Sequence, residues 1–285
     1  ALTDDPVYGD AHLGKANALA AFGTQYVTSP AESAEMFGRA ERSAKRAASL
    51  MPGSGRPAAM VAEISARRLD FVAALRGFEQ ALAAEPNDIF VLVKASNNLP
   101  WLGNGAQALA RADRLISLDP LNATAYSGRG DCLYALRRYD EAIDAFNQAL
   151  ALAPQRNHSR YFLSNSLILL NRPGEAQEVL AKILPDDTFR RTNDAILDAR
   201  GGDRAGAEAI ITRMRAEQGD FASYQYAQIY AQLGDAGRAF AALDKAVEVR
   251  DPGLQWLKRD PFLDPIRRDP RYASLLKRLN FPTWT

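Results

Sequence analysis

Side chains able to do covalent or metal chemistry are few in this chain and stand far apart. His12 and His158 are the only histidines, 146 residues from one another, whereas a zinc site draws on several Cys and His ligands at short, regular spacings. Cys132 is the single cysteine, so it forms no internal disulfide and leaves the redox compartment open. It is read either as a packed, inert thiol or as a reactive one. Nucleophilic catalysis needs a base positioned beside the nucleophile, and nothing marks a nucleophile beside His158. The run Gly103-Asn104-Gly105-Ala106-Gln107-Ala108 satisfies G-x-G-x-x-A, but a pyrophosphate cradle requires a strand before it, and here a helix precedes. Asn122-Ala123-Thr124 and Asn157-His158-Ser159 match glycosylation sequons of a kind that chance supplies, and Asp186-Asp187 reads as a solvated pair in a proline-flanked connector. These residues predict no enzyme, no metal and no cofactor. What the chain does offer is chemistry for gripping another chain. A primary amide such as that of Asn97 or Asn165 both donates and accepts, so it can pair with a peptide group whatever side chain follows.

The elements that must hold such residues are set by a period. Proline recurs every 34 residues, at Pro52, Pro86, Pro120 and Pro154, closing the phrases SLMP, AAEP, SLDP and ALAP. Alanine keeps the same step at Ala40, Ala74, Ala108, Ala142 and Ala176. A unit of this length with small residues at fixed slots resembles that of a tetratricopeptide array, which implies a helix, a turn and a second helix stopped by the proline. Turns are expected near Leu69-Asp70, Gly103-Asn104, Arg137-Arg138 and Asn171-Arg172. Small residues are needed where helices approach closely, and no single pair can bury its apolar stripe, so neighbours must stack.

The 34-residue phrase resembles the tetratricopeptide repeat. Slot eight of the unit is small at Ala62, Ser96, Gly130, Ser164, Ala195 and Ala227, and slot twenty is alanine at Ala74, Ala108, Ala142, Ala176, Ala207 and Ala239. Slot twenty-four is bulky and apolar at Phe78, Phe146, Leu180, Ile211 and Leu243. The resemblance implies an all-α, right-handed superhelical solenoid of about seven antiparallel helix pairs with a C-terminal capping segment. The expected partition is a divergent first pair with an insertion over 1–54, clear repeats over 55–88, 89–122 and 123–156, degenerate repeats over 157–187, 188–219 and 220–253, and the cap over 254–285. Local stacking of this kind predicts sequential, loosely cooperative unfolding.

Both ends carry information. ALTDDP fits the last slots of a unit whose earlier part is absent, so the chain is expected to be a piece of a longer protein. The interval from Pro6 to Pro52 exceeds one period by 12 residues, placing a loop at Gly23 to Pro30 between helices Asp10 to Phe22 and Ala31 to Leu50. After Asp251 the consensus fades. The run from Trp256 through Asp260-Pro261, Asp264-Pro265 and Asp269-Pro270 resembles the closing segment of repeat regions in bacterial winged-helix regulators and class III cyclase-like signalling proteins. It is read as a polar cap over the last apolar face, its basic residues (Lys258, Arg259, Arg267, Arg268, Arg271, Lys277, Arg278) forming mainly a solvated surface.

In tetratricopeptide arrays the first helix of each pair lines the concave face, and the resemblance directs slots two, five, nine and twelve into it. Those positions hold Phe90, Val93 and Asn97, then Thr124, Ser127, Asp131 and Tyr134, then His158, Tyr161, Asn165 and Ile168, with Phe189, Thr192, Phe221 and Tyr224 beyond. Two readings are open for this face: a groove for a protein or extended peptide, or aromatics that merely pack between helices. Pro100 beside Trp101 likewise marks either a helix that is simply ending before Gly103 or a widened groove mouth with Trp101 as an exposed anchor. The lysine-and-asparagine clamp for a free C-terminus is not matched, since Ala59 and Glu63 occupy its slots. A net charge of +1 gives no electrostatic footprint for nucleic acid, and no apolar run approaches the ~20 residues of a membrane span. The expectation is therefore a soluble, non-enzymatic protein-interaction module, the regulatory part of a larger bacterial signalling protein. The effector region of a winged-helix regulator or cyclase-like protein, and a self-association module giving a homodimer, are the alternatives. Cytoplasm and periplasm both stay open, the second requiring a membrane segment before Ala1.

Overall fold

The computed structural model describes residues 5–25, 29–103 and 105–282. Among them fourteen helices form seven consecutive pairs: α1 (Gly9–Gln25) with α2 (Pro30–Leu50), α3 (Arg56–Arg67) with α4 (Phe71–Ala84), α5 (Ile89–Leu102) with α6 (Gly105–Leu118), α7 (Ala123–Ala135) with α8 (Tyr139–Leu152), α9 (Asn157–Leu169) with α10 (Pro173–Leu180), α11 (Thr188–Gly201) with α12 (Arg204–Gln218), and α13 (Ser223–Gln232) with α14 (Ala236–Glu248). Two short 3₁₀ segments, Pro252–Trp256 and Pro261–Ile266, then lead to α15 (Pro270–Arg278). No strand occurs among the described residues.

The sequence marks both ends of these helices chemically. Asp70, Asp88, Asn122, Asp187, Asp203 and Asp235 each precede a helix and accept a hydrogen bond from its first free N–H groups, satisfying donors that have no partner within the helix. At the turn inside each of the six pairs from α3–α4 onward the chain steps through the left-handed region, at Leu69, Gly103, Arg137, Asn171, Gly202 and Gly234. Where the next residue is described, its N–H reaches back five residues, as in Asp70 N to Ser65 O and Arg138 N to Leu133 O, both 2.9 Å. That wrap satisfies the last carbonyls of the first helix. The turns at Leu69, Gly103, Arg137 and Asn171 fall where the period placed them; Asn104 lies outside the described residues.

Packing follows the small residues. Ala62, Ala74, Ala108, Ala142, Ala176, Ala195, Ala207, Ala227 and Ala239 are all fully buried. At Gly130 an added Cβ would stand 2.4 Å from the ring of Phe146, so slot eight of that unit admits no methyl group.

Two local expectations need correcting. Helix α1 runs on to Gln25 rather than ending at Phe22, so the first residues of the expected loop are helical; residues 26–28 of that loop lie outside the described residues. Pro100 opens no groove mouth: α5 ends at Leu102, just before Gly103 as the first reading has it, and Pro100 is buried in its last turn. Proline removes the N–H that would pair with the carbonyl of Ser96. That carbonyl instead accepts from the Cys132 thiol of α7 at 3.6 Å. Burial pushes the Cys132 thiol well above its usual range, so it is a packed donor rather than a nucleophile.

Candidate functional site

The first helices of the pairs, α3, α5, α7, α9, α11 and α13, stand side by side and form the inner wall of the array. The segment after α14 does not stop at the last apolar face. It turns inward and runs back along this wall, using three Asp-Pro steps nine residues apart, Asp251-Pro252, Asp260-Pro261 and Asp269-Pro270. Each aspartate accepts from the N–H two residues on and so caps the short helix that its proline begins.

Along its path the segment touches the turn ends of successive first helices. Arg250 donates to the carbonyl of Arg68 after α3, at 3.1 Å, and Arg259 to that of Gly103 after α5, at 2.7 Å. Asp264 takes both terminal nitrogens of Arg137 after α7, at 2.5 and 2.8 Å. Cations at helix C-termini meet carbonyls left without intrahelical donors. Phe281 then stacks on Phe71 at the start of α4, with ring centroids 4.1 Å apart.

Trp256 sits in the middle of the wall. Its ring lies within 5.8–6.3 Å of the rings of Trp101, Phe162, Phe189 and Tyr224, in edge-on arrangements favoured between aromatics. Four residues on, the buried carboxylate of Asp260 accepts from the Tyr224 hydroxyl and from Gln228 Nε2, both at 2.7 Å. Burial pushes the Asp260 carboxyl up from the ordinary carboxylate range. Asp251 is pushed up to about 6 by the same cause, although it accepts from the N–H groups of Tyr224 and Gly253 at 2.9 and 2.8 Å. The space left between Trp101, Tyr161, Asn165, Gln228, Trp256 and Asp260 is about 10 Å³, room for about one water molecule. No peptide side chain fits there.

Models of the tetratricopeptide repeat match residues 102–157, 133–191 and 222–251. A tetratricopeptide repeat protein from Parabacteroides merdae superposes with a TM-score of 0.57 at 19% identity, covering 87% of this chain and 93% of the other. The chain carries tetratricopeptide repeats over 102–191 and 222–251. PilW, a type IV pilus biogenesis factor, is also similar in fold, with a TM-score of 0.52 at 19% identity over 70% of this chain and 92% of its own. Among curated proteins none matches. These repeats support a protein-interaction module built on a helical solenoid. No helix among the described residues is long and apolar enough to cross a membrane.

Within this tetratricopeptide array the candidate residues divide by position along the inner wall. Phe90, Val93, Asn97 and Phe189 are partly exposed, and the His158 side chain is 44% exposed. Trp101, Asp131, Tyr134, Tyr161, Asn165 and Tyr224 are all buried, between 0 and 3% exposed. The expectation of an exposed Trp101 anchor is thus corrected: Trp101 is covered by Trp256, Tyr134 and Phe162. Asn165 is no free amide either, because its Oδ1 accepts from Asn193 Nδ2 at 2.6 Å. Tyr134 and Tyr161 pack into the aromatic cluster, and burial pushes both phenols up. Asp131 is buried beneath His158, whose Nε2 lies 3.0 Å from both carboxylate oxygens. The tail cations are also not merely a solvated face. Arg259 reaches Gly103, Arg267 donates to the carbonyls of Lys258 and Asp260 at 2.9 and 2.7 Å, and Lys258 reaches the carbonyl of Pro282.

Sequence reasoning missed Gln228, which stands at slot nine of the last unit and grips Asp260. The slot could have found it, since it is the position of Asn97, Asp131 and Asn165 one or more units earlier. What the sequence did not announce is that the gripped segment belongs to the same chain.

Proposed function

We propose that the chain is the regulatory, protein-binding part of a larger bacterial signalling protein, and that it acts through the stretch of inner wall its own tail leaves uncovered. The observation that carries this reading is the uneven exposure of the inner wall. The tail covers the end of α5 at Trp101, the middle of α9 at Phe162 and the starts of α11 and α13 at Phe189 and Tyr224, while Phe90, Val93 and Asn97 on α5 and His158 at the start of α9 stay accessible. This stretch combines apolar area with amide and imidazole groups, which suits an extended peptide segment held by side-chain and backbone contacts. The signalling context is supported by the closing Asp-Pro segment and its resemblance to the repeat regions of bacterial regulators.

Selection of displayed random peptides on the full chain tests the surface. Val93→Arg should abolish retention of the selected peptides, whereas Leu121→Arg, at a loop position 79% exposed, should leave it unchanged. Equal loss in both variants, or no loss at Val93, would refute the assignment of this stretch.

A further inference from the structure

The uncovered stretch has a chemical bias that identifies the kind of segment it takes; this inference rests on the binding surface just proposed. At its centre is Asp131, a carboxylate only 2% exposed whose hydrogen-bond donor is the imidazole of His158, itself 44% exposed at the surface of the wall. Asn97 Oδ1 lies in the seam between α5 and α7, buried and with no hydrogen-bond partner. It occupies the space that a Cβ on Gly128 would need, 2.5 Å away, and Gly128 is one helical turn before Asp131 on the same face. Two acceptors, one of them charged, therefore line one seam without a strong donor between them.

Neighbouring cations do not fill that need. Lys94 is held by Glu63 at 2.5 Å and by Asn17 at 2.6 Å, and Arg67 pairs with Glu63 at 3.5 Å. Arg156 feels the charge of Asp131 but forms no ion pair with it, and its own Nε is buried without an acceptor. A buried carboxylate satisfied only by a half-exposed imidazole gains from a fixed cation, because charge-assisted hydrogen bonds are about twice as strong as neutral ones.

We propose that this stretch binds an extended segment carrying a lysine or arginine, whose cationic end joins Asp131 as the His158 ring swings aside. Phe90 and Val93 take an apolar neighbour of that residue. Asn97, whose side chain is partly exposed, pairs through its amide with the backbone of that segment.

A selection of random nonapeptides on the full chain tests this. The selected pool should be enriched in lysine or arginine at one position, and replacing that lysine by acetyl-lysine should weaken binding about tenfold or more. Asp131→Asn should remove the distinction between lysine and acetyl-lysine while the thermal melt stays cooperative. If that variant does not fold, the acetyl-lysine comparison on the unaltered chain decides alone. A pool enriched in acidic residues, or in no charge, that is still lost in Val93→Arg would overturn the basic ligand and keep the surface. A pool indifferent to Val93→Arg, or no pool at all, would overturn both.

Discussion

The ring of Phe281 stacks on the ring of Phe71 with centroids 4.1 Å apart and planes 22° from parallel, joining the end of the chain to its second helix pair. An open tetratricopeptide stack has only neighbour contacts, and such arrays unfold as loosely coupled units. Here the tail adds long-range links, Arg250 to Arg68, Arg259 to Gly103 and Asp264 to Arg137, and closes the early pairs onto the late ones. The expectation of sequential unfolding gives way to coupled unfolding of the pairs from α3 to α14. Phe281→Ala should cost about 3 kcal/mol, the scale of a buried Phe truncation. Hydrogen exchange should speed up in α3 and α4 as well as in the tail. Faster exchange confined to the tail would show that the ring is not energetically closed.

Trp256 should act as the keystone of the inner wall. It contacts rings from α5, α9, α11 and α13 at once, so Trp256→Ala removes both apolar burial and aromatic geometry. We expect a loss of about 3 kcal/mol and collapse of the near-ultraviolet circular dichroism, with far-ultraviolet signal retained. An unchanged near-ultraviolet spectrum would mean that the aromatic cluster does not depend on the tail.

The division between what was legible in the sequence and what was not has a physical cause. Helix pairs, turns and packing slots are local: the aspartate caps, the left-handed turn residues and the small residues at slots eight and twenty act within a few positions of themselves. The path of the tail is not local. Nothing in Trp256 or Asp260 states that a tryptophan and a carboxylate 155 and 159 residues after Trp101 will settle against it. Trp101, Tyr134, Tyr161 and Tyr224 all lie on first helices, but their hydrophobicity is equally suited to a partner and to the chain's own end. Of the concave-face positions, Phe90, Val93, Asn97, Thr124, His158, Phe189 and Phe221 keep the exposure that a binding role requires.

The register itself is testable at Gly130. An alanine there would press its Cβ into three ring atoms of Phe146 at 2.4 to 2.7 Å, at a site where helix backbone fixes its position. Gly130→Ala should therefore destabilise by about 1–3 kcal/mol, against the roughly 1 kcal/mol gain that glycine-to-alanine gives in an open helix. Ala142→Leu, at a position with no exposure, should cost a similar amount. A stabilised Gly130→Ala would show that α7 and α8 do not approach as closely as described.

Stability should also report the buried carboxylate of Asp251. Its folded value, about 6, lies above the ordinary carboxylate value near 4, so the folded state holds the proton more tightly than the unfolded chain. The contribution is fully present below about pH 4 and is lost as pH rises through about 6. Across that window the group should take away on the order of 2–3 kcal/mol. Asp251→Asn does not titrate, so the difference in melting temperature, variant minus parent, should grow more positive between pH 4 and pH 7. A difference that is flat with pH, or that falls, would refute the burial of this carboxylate against Tyr224 and Gly253.

Asn165 and Asn97 share a slot but should respond differently. Asn165 is 1% exposed and accepts from Asn193, so Asn165→Ala leaves a buried amide with one partner fewer. Such a deletion costs about 1–3 kcal/mol, read as a lower midpoint in urea, while peptide retention should stay as in the parent. Asn97 is partly exposed and its Oδ1 has no partner to lose. Asn97→Ala should therefore leave the urea midpoint nearly unchanged and weaken peptide retention about tenfold, the loss of one hydrogen bond to a buried backbone group. The reverse pattern, with stability lost at Asn97 and binding lost at Asn165, would place the ligand under the tail rather than beside it.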